Sequence, residues 1–241
     1  MPIQGEIDYV ANMARVLEVS AEEVERSLLN KPYPYSRRGF YLMDLGQIFR
    51  LLPEPPLKVL DLGCGSGWTS RMFALAGYQV VGLDVCGDMI DIARKNCAGL
   101  EATFFAQDYE QSIPGGPYDC AVIYDALHHA IDEGQLIRTV YSVLKPGGIF
   151  LTAEPGAGHA TSPETMREAI RWGTTERDMP FSHQRTLMRA AGFRHVAQYA
   201  RLSELPLIPI EGGDSEQQRN VSALLENTSK RGFTSIVVAT R

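Results

Sequence analysis

Asp61 closes an apolar run, and Gly63, Gly65 and Gly67 then alternate with Cys64 and Ser66 before a helical segment opens at Trp68. Glycines at this spacing let the backbone turn sharply and let a ligand lie against bare main chain. A helix over 68–76 aims its N-terminal amides and positive dipole end at that ligand. The residues that lead in, 58–62, are mostly branched or apolar and read as a buried parallel strand. Strand, glycine loop and helix N-terminus together suit a nucleotide-type cofactor.

Spacing narrows the cofactor. A dinucleotide fingerprint needs G-x-G-x-x-G, and the sixth position from Gly63 is Trp68, whose indole obstructs close helix–strand packing. A nicotinamide-dependent oxidoreductase is therefore disfavoured. The pattern is D-x-G-x-G-x-G, with the acid inside it. More acids follow at strand ends: Asp84 after Val80-Val81-Gly82-Leu83, Asp108 just beyond 102–106, and Asp125 after 118–124. Leu144-Lys145-Pro146-Gly147-Gly148 then turns into a fifth strand over 149–153. In this ordered set, continuous over 58–154, the chain resembles the class I S-adenosylmethionine-dependent methyltransferases.

The resemblance implies S-adenosylmethionine as cofactor and a doubly wound α/β fold. Its Rossmann-like methyltransferase sheet has seven strands, the last antiparallel, under a helical N-terminal cover. It implies cofactor contacts from Asp61, Gly63, Cys64, Gly65 and Gly67 in the loop, from Asp84, Val85 and Met89 after the second strand, and from Asp108, Tyr109 and Asp125. Asp84 suits both ribose hydroxyls, and Asp108 falls where the family places a carboxylate against the adenine amino group. Tyr35 adds an aromatic wall, and Arg37 or Arg38 suits the cofactor's carboxylate.

Methyl transfer is a displacement at a sulfonium carbon, so the protein must position the acceptor, exclude water and often take up a proton. The crevice of such a sheet lies at the carboxyl ends of its strands. That points to 125–129 and 154–159, with whatever covers them. His128, His129 and His159 are the candidate bases, since imidazole accepts a proton near neutral pH; the competing role for His128-His129 is a ring packed under its loop. The expected reaction is O-methylation of a small molecule. A shorter likeness, over 153–159, 162–163 and 174–179, to methyltransferase domains found with bacterial glycan-assembly enzymes adds a sugar or glycoconjugate hydroxyl as acceptor. N- or C-methylation is the alternative chemistry, and a cofactor-binding subunit without transfer activity the alternative role. Ala126 stands where a metal-dependent catechol-type enzyme carries Asn beside its acid, so no metal is expected.

Composition sets bounds. The 241 residues, 44% hydrophobic and 22% charged, suffice for one sizeable core. A net charge of -6 argues against a nucleic-acid partner, and Ser36-Arg37-Arg38 and Ser229-Lys230-Arg231 are too short to reverse that. No apolar run approaches the roughly 20 residues of a membrane span, and the N-terminus lacks an apolar signal core, so a cytoplasmic location is expected. The expected partner is a small-molecule substrate, with neither nucleic acid nor membrane, and a homodimer is left open. Cys64, Cys86, Cys97 and Cys120 show no C-x-x-C pairing and read as packed thiols.

The elements that must position these residues fall into two parts. Helices over 7–17, 21–29 and 38–51 make a cover of residues 1–52, the second opened by the capping-box pattern Ser20-x-x-Glu23. Pro53-Glu54-Pro55-Pro56 leads into a domain of 53–241, with a substrate-cap insertion near 156–185. Helices over 162–172 and 183–191 and strands over 193–202 and 234–239 complete it.

Overall fold

The computed structural model describes residues 4–204 and 235–241. Seven strands form one sheet: β1 (Lys58–Leu62), β2 (Gln79–Asp84), β3 (Ala102–Ala106), β4 (Tyr118–Tyr124), β5 (Leu144–Glu154), β6 (His195–Ala200) and β7 (Ser235–Thr240). Their order is β3-β2-β1-β4-β5-β7-β6, parallel except for β7, which runs antiparallel to both neighbours. The order reverses between β1 and β4, so the crevice of a doubly wound sheet opens above that pair. Asp61 registers with Gly82 on one side and Val122 on the other, which fixes the first acid over the switch point.

Both faces of the sheet are covered, and the strand period shows it. On β1, Leu60 and Leu62 pack with Leu136, Ile137 and Met188, whereas Val59 packs with Ile48, Trp68 and Phe73 on the opposite side. The first layer comes from α7 (Glu133–Val143) and α9 (Phe181–Ala191); the second comes from α4 (Arg38–Leu51) and α5 (Trp68–Leu75). Helix α7 falls where the sequence reading placed no element. Its signal was present: Asp132 accepts the Gln135 amide as N-cap at 2.7 Å, and Leu136, Ile137 and Val140 line the buried face.

Elsewhere the differences are at edges. The single helix expected over 7–17 is α1 (Gln4–Ile7) and α2 (Tyr9–Leu17), separated at Asp8. Strand β5 begins at Leu144 rather than 149, because Leu144 already pairs with Tyr118 before the register shifts. Helix α3 (Ala21–Leu29) starts at the expected box, with the Ser20 side chain accepting from Glu23 and the Glu23 carboxylate accepting from Ser20. Of the strand expected over 234–239, Thr234 lies outside the described residues, as does Ser229-Lys230-Arg231. All four cysteines are buried and free. Among the described residues no helix is long and apolar enough to cross a membrane.

The N-terminal helices dock on the carboxyl end of the sheet. Val10 and Met13 of α2 and Val24 and Leu28 of α3 pack against Met89 and Ile92 of α6 (Gly87–Asn96). Ser66 in the glycine loop donates to the Leu28 carbonyl at 3.1 Å, which ties the cover to the loop directly. Helix α8 (Pro163–Trp172) meets it from the other side, with Trp172 5.8 Å from the Tyr9 ring.

Candidate functional site

Two neighbouring cavities open over the switch point. The first is floored by the loop between β1 and α5, with Asp61, Gly63, Cys64, Gly65, Ser66 and Trp68, and is walled by Lys31, Met89, Tyr124 and Asp125. Gly63, Gly65 and Gly67 all have left-handed backbone, with φ of 64, 49 and 72°. Their side-chain space differs. A Cβ on Gly63 would strike Ala126 at 2.4 Å and one on Gly67 would meet Ala93 at 2.9 Å, so these two glycines serve packing. A Cβ on Gly65 meets nothing within 4 Å, so at that position a cradle stands open in which a ligand can lie on main chain.

Two carboxylates shape the cradle from behind. Asp61 is buried and accepts from Thr69 at 2.7 Å and Ser70 at 2.6 Å, fastening the first turn of α5 to β1. Burial raises its pKa to about 6 against the pull of those two hydroxyls. Asp84 accepts the Gly65 amide at 2.8 Å and the Cys86 amide at 2.9 Å, bracing the loop at the end of β2. Burial pushes its pKa up, and those amides oppose the shift. Asp108 accepts the Glu110 amide at 3.1 Å in a local turn, and Tyr109 is buried beside Gly63. Val85 packs at the edge of the core beneath.

The second cavity shares Tyr124 and Asp125 with the first and adds Arg37, Tyr41, Asp44, His159 and Arg201. Asp125 takes the left-handed conformation at φ 54°, one that Asp tolerates better than most residues. Its surroundings favour the neutral acid, but the positive charges of His128, Arg201, His129 and Lys31 outweigh them and hold its pKa below the usual carboxylate range. Beneath lies a buried network. Arg201 donates to Asp44 at 2.7 Å and to the Tyr124 hydroxyl at 3.1 Å, Tyr124 donates to Asp44 at 2.7 Å, and Ser203 donates to the other Asp44 oxygen at 2.5 Å.

The three histidines cluster beside this cavity. The turn after Asp125 aims the Ala126, Leu127 and His128 amides at Glu154, at 3.1, 2.9 and 3.3 Å, and His128 Nδ1 lies 2.7 Å from the same carboxylate. Glu154 is fully buried as the anchor of this turn. Burial opposes a charge on His128, yet Glu154, Asp125 and Glu176 override it and push its pKa up to about 9. His129 Nδ1 sits 2.5 Å from the Thr175 carbonyl. His159 Nε2 lies 3.0 Å from Glu176 Oε2, and its Nδ1 3.3 Å from Thr165. Of the three, His159 lines the second cavity.

The two cover residues take other places. Arg38 is exposed, with a 3.4 Å contact to the Tyr35 carbonyl, while its neighbour Arg37 lines the second cavity. Tyr35 packs edge-on to Tyr41 at 6.4 Å. The cation in the first cavity is Lys31, whose Nζ stands 5.2 to 5.7 Å from the ring centres of Tyr41, Trp68 and Tyr35. Burial pulls its pKa down, with Asp125 opposing. Sequence reasoning missed Lys31, Asp44, Arg201 and Glu176. A lysine in the turn between two cover helices, an aspartate inside α4 and an arginine after an edge strand carry no local mark of a site.

Residues 59–148 match a family model described as a methyltransferase domain. The ubiquinone biosynthesis O-methyltransferase of Caulobacter vibrioides is 33% identical over 105 residues, which are 42% of this chain and 42% of that protein. The chain thus matches less than half of that relative's length. The enzyme of the same description from Xanthomonas campestris is 28% identical over 186 residues, 72% of this chain and 73% of that one. Among solved structures, an S-adenosylmethionine-dependent methyltransferase from Mesorhizobium loti superposes with a TM-score of 0.61 at 23% identity, covering 83% of this chain and 98% of its own. A putative methyltransferase of Haloferax volcanii, solved with the Trm112 methyltransferase activator, gives 0.65 at 20% identity over 90% and 96%. At those identities the structural likeness is one of fold. The glycine cradle falls inside the matched segment, at the switch point of the sheet, so residues 59–148 carry a methyltransferase domain on a fold similar to that of S-adenosylmethionine-dependent methyltransferases.

Proposed function

We propose that this chain methylates a hydroxyl of a small polar molecule held in the second cavity, with His159 as the general base. The observation that carries the reading is that His159 lines the cavity sharing Asp125 and Tyr124 with the cofactor cradle, while Glu176 holds its Nε2. A histidine fixed on one nitrogen by a carboxylate presents the other to a proton, the arrangement by which a base is oriented and kept basic. Bound S-adenosylmethionine supplies the electrophilic methyl and carries its own leaving group. The chain's residues do the rest. Asp61 and Asp84 shape the cradle, Asp125 stands at the junction of the cavities, and His159 takes the hydroxyl proton through Nδ1. His159 reaches the acceptor by giving up its long, 3.3 Å contact with Thr165, whereas His128 has a carboxylate on each nitrogen and lines neither cavity.

An alcohol needs such a base more than a neutral amine does, which favours oxygen as the acceptor atom. The relatives described as O-methyltransferases support the same reaction type. The lining of Arg37, Asp44, Asp125 and Arg201 beside Tyr41 suits an acceptor rich in hydroxyls, such as a sugar or a glycosylated metabolite. Residues 1–52 and 156–185 act as the cover that keeps water from it.

With a panel of hydroxylated acceptors, wild-type chain should release S-adenosylhomocysteine in an acceptor-dependent manner. His159→Ala should lower turnover about 100- to 10,000-fold while cofactor affinity stays put. A near-full rate in that variant would mean that positioning alone drives transfer, and a nitrogen or carbon acceptor would become the better reading.

A further inference from the structure

We propose that His128, His129 and Glu176 form a binding site for a divalent transition-metal ion of the zinc type, behind His159 and outside both cavities. One donor atom from each of the three lies within 4.8 Å of the others. His128 Nε2 stands 3.4 Å from Glu176 Oε2, and His129 Nδ1 stands 3.9 Å from Glu176 Oε1. Two ligands held tetrahedrally on Zn2+ at 2.0–2.1 Å lie about 3.3 Å apart. The first pair therefore already has the required spacing, and small side-chain rotations close the rest.

The surroundings fit an ion better than they fit a plain hydrogen-bonded cluster. His128 turns Nδ1 to a fully buried Glu154, itself fixed by three backbone amides, and so presents Nε2 to Glu176. A ligating histidine is held in this way, by a carboxylate on its other nitrogen. Glu6 Oε1 lies 3.4 Å from His129 Nδ1, so Glu6, Glu154 and Glu176 converge on two imidazoles, and a dication offsets that concentration of negative charge. Two imidazoles and a carboxylate select zinc-like ions over Mg2+, which prefers oxygen ligands and keeps its waters. An ion can enter, because the His129 side chain is 25% exposed and that of Glu176 12%. Binding through His129 Nδ1 would exchange its contact with the Thr175 carbonyl for the ion. The sequence expectation of no metal rested on residues next to Asp125 and had no access to a donor brought in from position 176.

The test uses the full chain, stripped with a chelator, dialysed, and titrated with Zn2+ against a chromophoric competitor, with Mg2+ in parallel. One Zn2+ per chain should bind, Mg2+ should not compete, and the melting temperature should rise with Zn2+. His129→Ala and Glu176→Gln should abolish both effects. Glu154→Gln, which touches no donor atom facing the ion, should weaken binding about 10- to 100-fold, whereas the exposed His183→Ala should leave it unchanged. If His129→Ala does not fold, His129→Gln reads the same point. Wild-type chain that retains no Zn2+ would overturn the site, as would Zn2+ binding that survives all of these substitutions. Neither outcome depends on whether a methyl group is transferred.

Discussion

The glycine cradle draws Asp61, Gly63, Cys64, Gly65 and Ser66 from six consecutive residues, whereas the neighbouring cavity gathers Arg37, Asp44, Asp125, His159 and Arg201 from well-separated segments. Both sit at the carboxyl ends of the same strands. In the cradle, one turn of backbone does the work, and its partners Thr69 and Ser70 lie within the next helical turn. In the second cavity the side chains come from four separate segments, Arg37 and Asp44 at α4, Asp125 after β4, His159 after β5 and Arg201 after β6, and buried charges hold them together. A local site can tolerate changes elsewhere in the chain, while a composite one depends on every segment that contributes to it.

That contrast can be broken at either end. The largest effect should follow Gly65→Val. Its side chain would enter the open cradle, so calorimetry should find cofactor binding abolished, while strain at the left-handed backbone should cost about 1–3 kcal/mol of stability. Near-normal affinity in a folded variant would separate the cradle from the cofactor. Asp44→Ala should act the opposite way. It leaves the Arg201 guanidinium, 7% exposed, without its carboxylate, and should lower unfolding free energy by about 3–5 kcal/mol in a urea titration. A loss under about 1 kcal/mol would show that the network does not join the cover to the sheet.

A third test concerns pH. The Asp61 pKa of about 6 lies above its ordinary value of 3.8, so between those values the folded state holds more protons than the unfolded one. Stability contributed by this group is full below pH 4 and declines as pH rises to 6, by about 3 kcal/mol in all. Asp61→Asn should flatten that decline in urea midpoints measured at pH 4 and 6.5. An unchanged slope would mean that Thr69 and Ser70 stabilise the carboxylate fully. The smallest effect is expected at Asp84→Ala, which should weaken cofactor binding by about 1.5–3 kcal/mol, the range for a hydrogen bond to a charged group. An unchanged dissociation constant would limit Asp84 to bracing Gly65.

The sheet was legible because its strands are short apolar runs ended by acids or glycines, and both features depend on neighbours in sequence. The capping box at Ser20 was legible for the same reason, since its two hydrogen bonds span three residues. Helix α7 carried equally local marks, Asp132 and the Leu136, Ile137 and Val140 face, and was simply not read. The histidines stand out by residue type alone, but the contacts they make depend on partners that no spacing reveals. Glu154 binds His128 because β5 lies beside β4, and Glu176 reaches His128 and His159 because the segment before α9 folds back over them.

What the sequence by itself determined is therefore the α/β fold, the glycine cradle and the kind of cofactor it suits, since strand patterning and backbone freedom are properties of contiguous residues. Only the tertiary structure decided that Lys31 and Arg37, rather than Arg38, face the cavities, that Arg201 is buried on Asp44, and that Glu176 joins three histidines. The reason is physical. Charge pairing and pocket shape depend on distances between residues as far apart in sequence as Asp44 and Arg201, 157 positions, and those distances exist only once the sheet has brought the segments together.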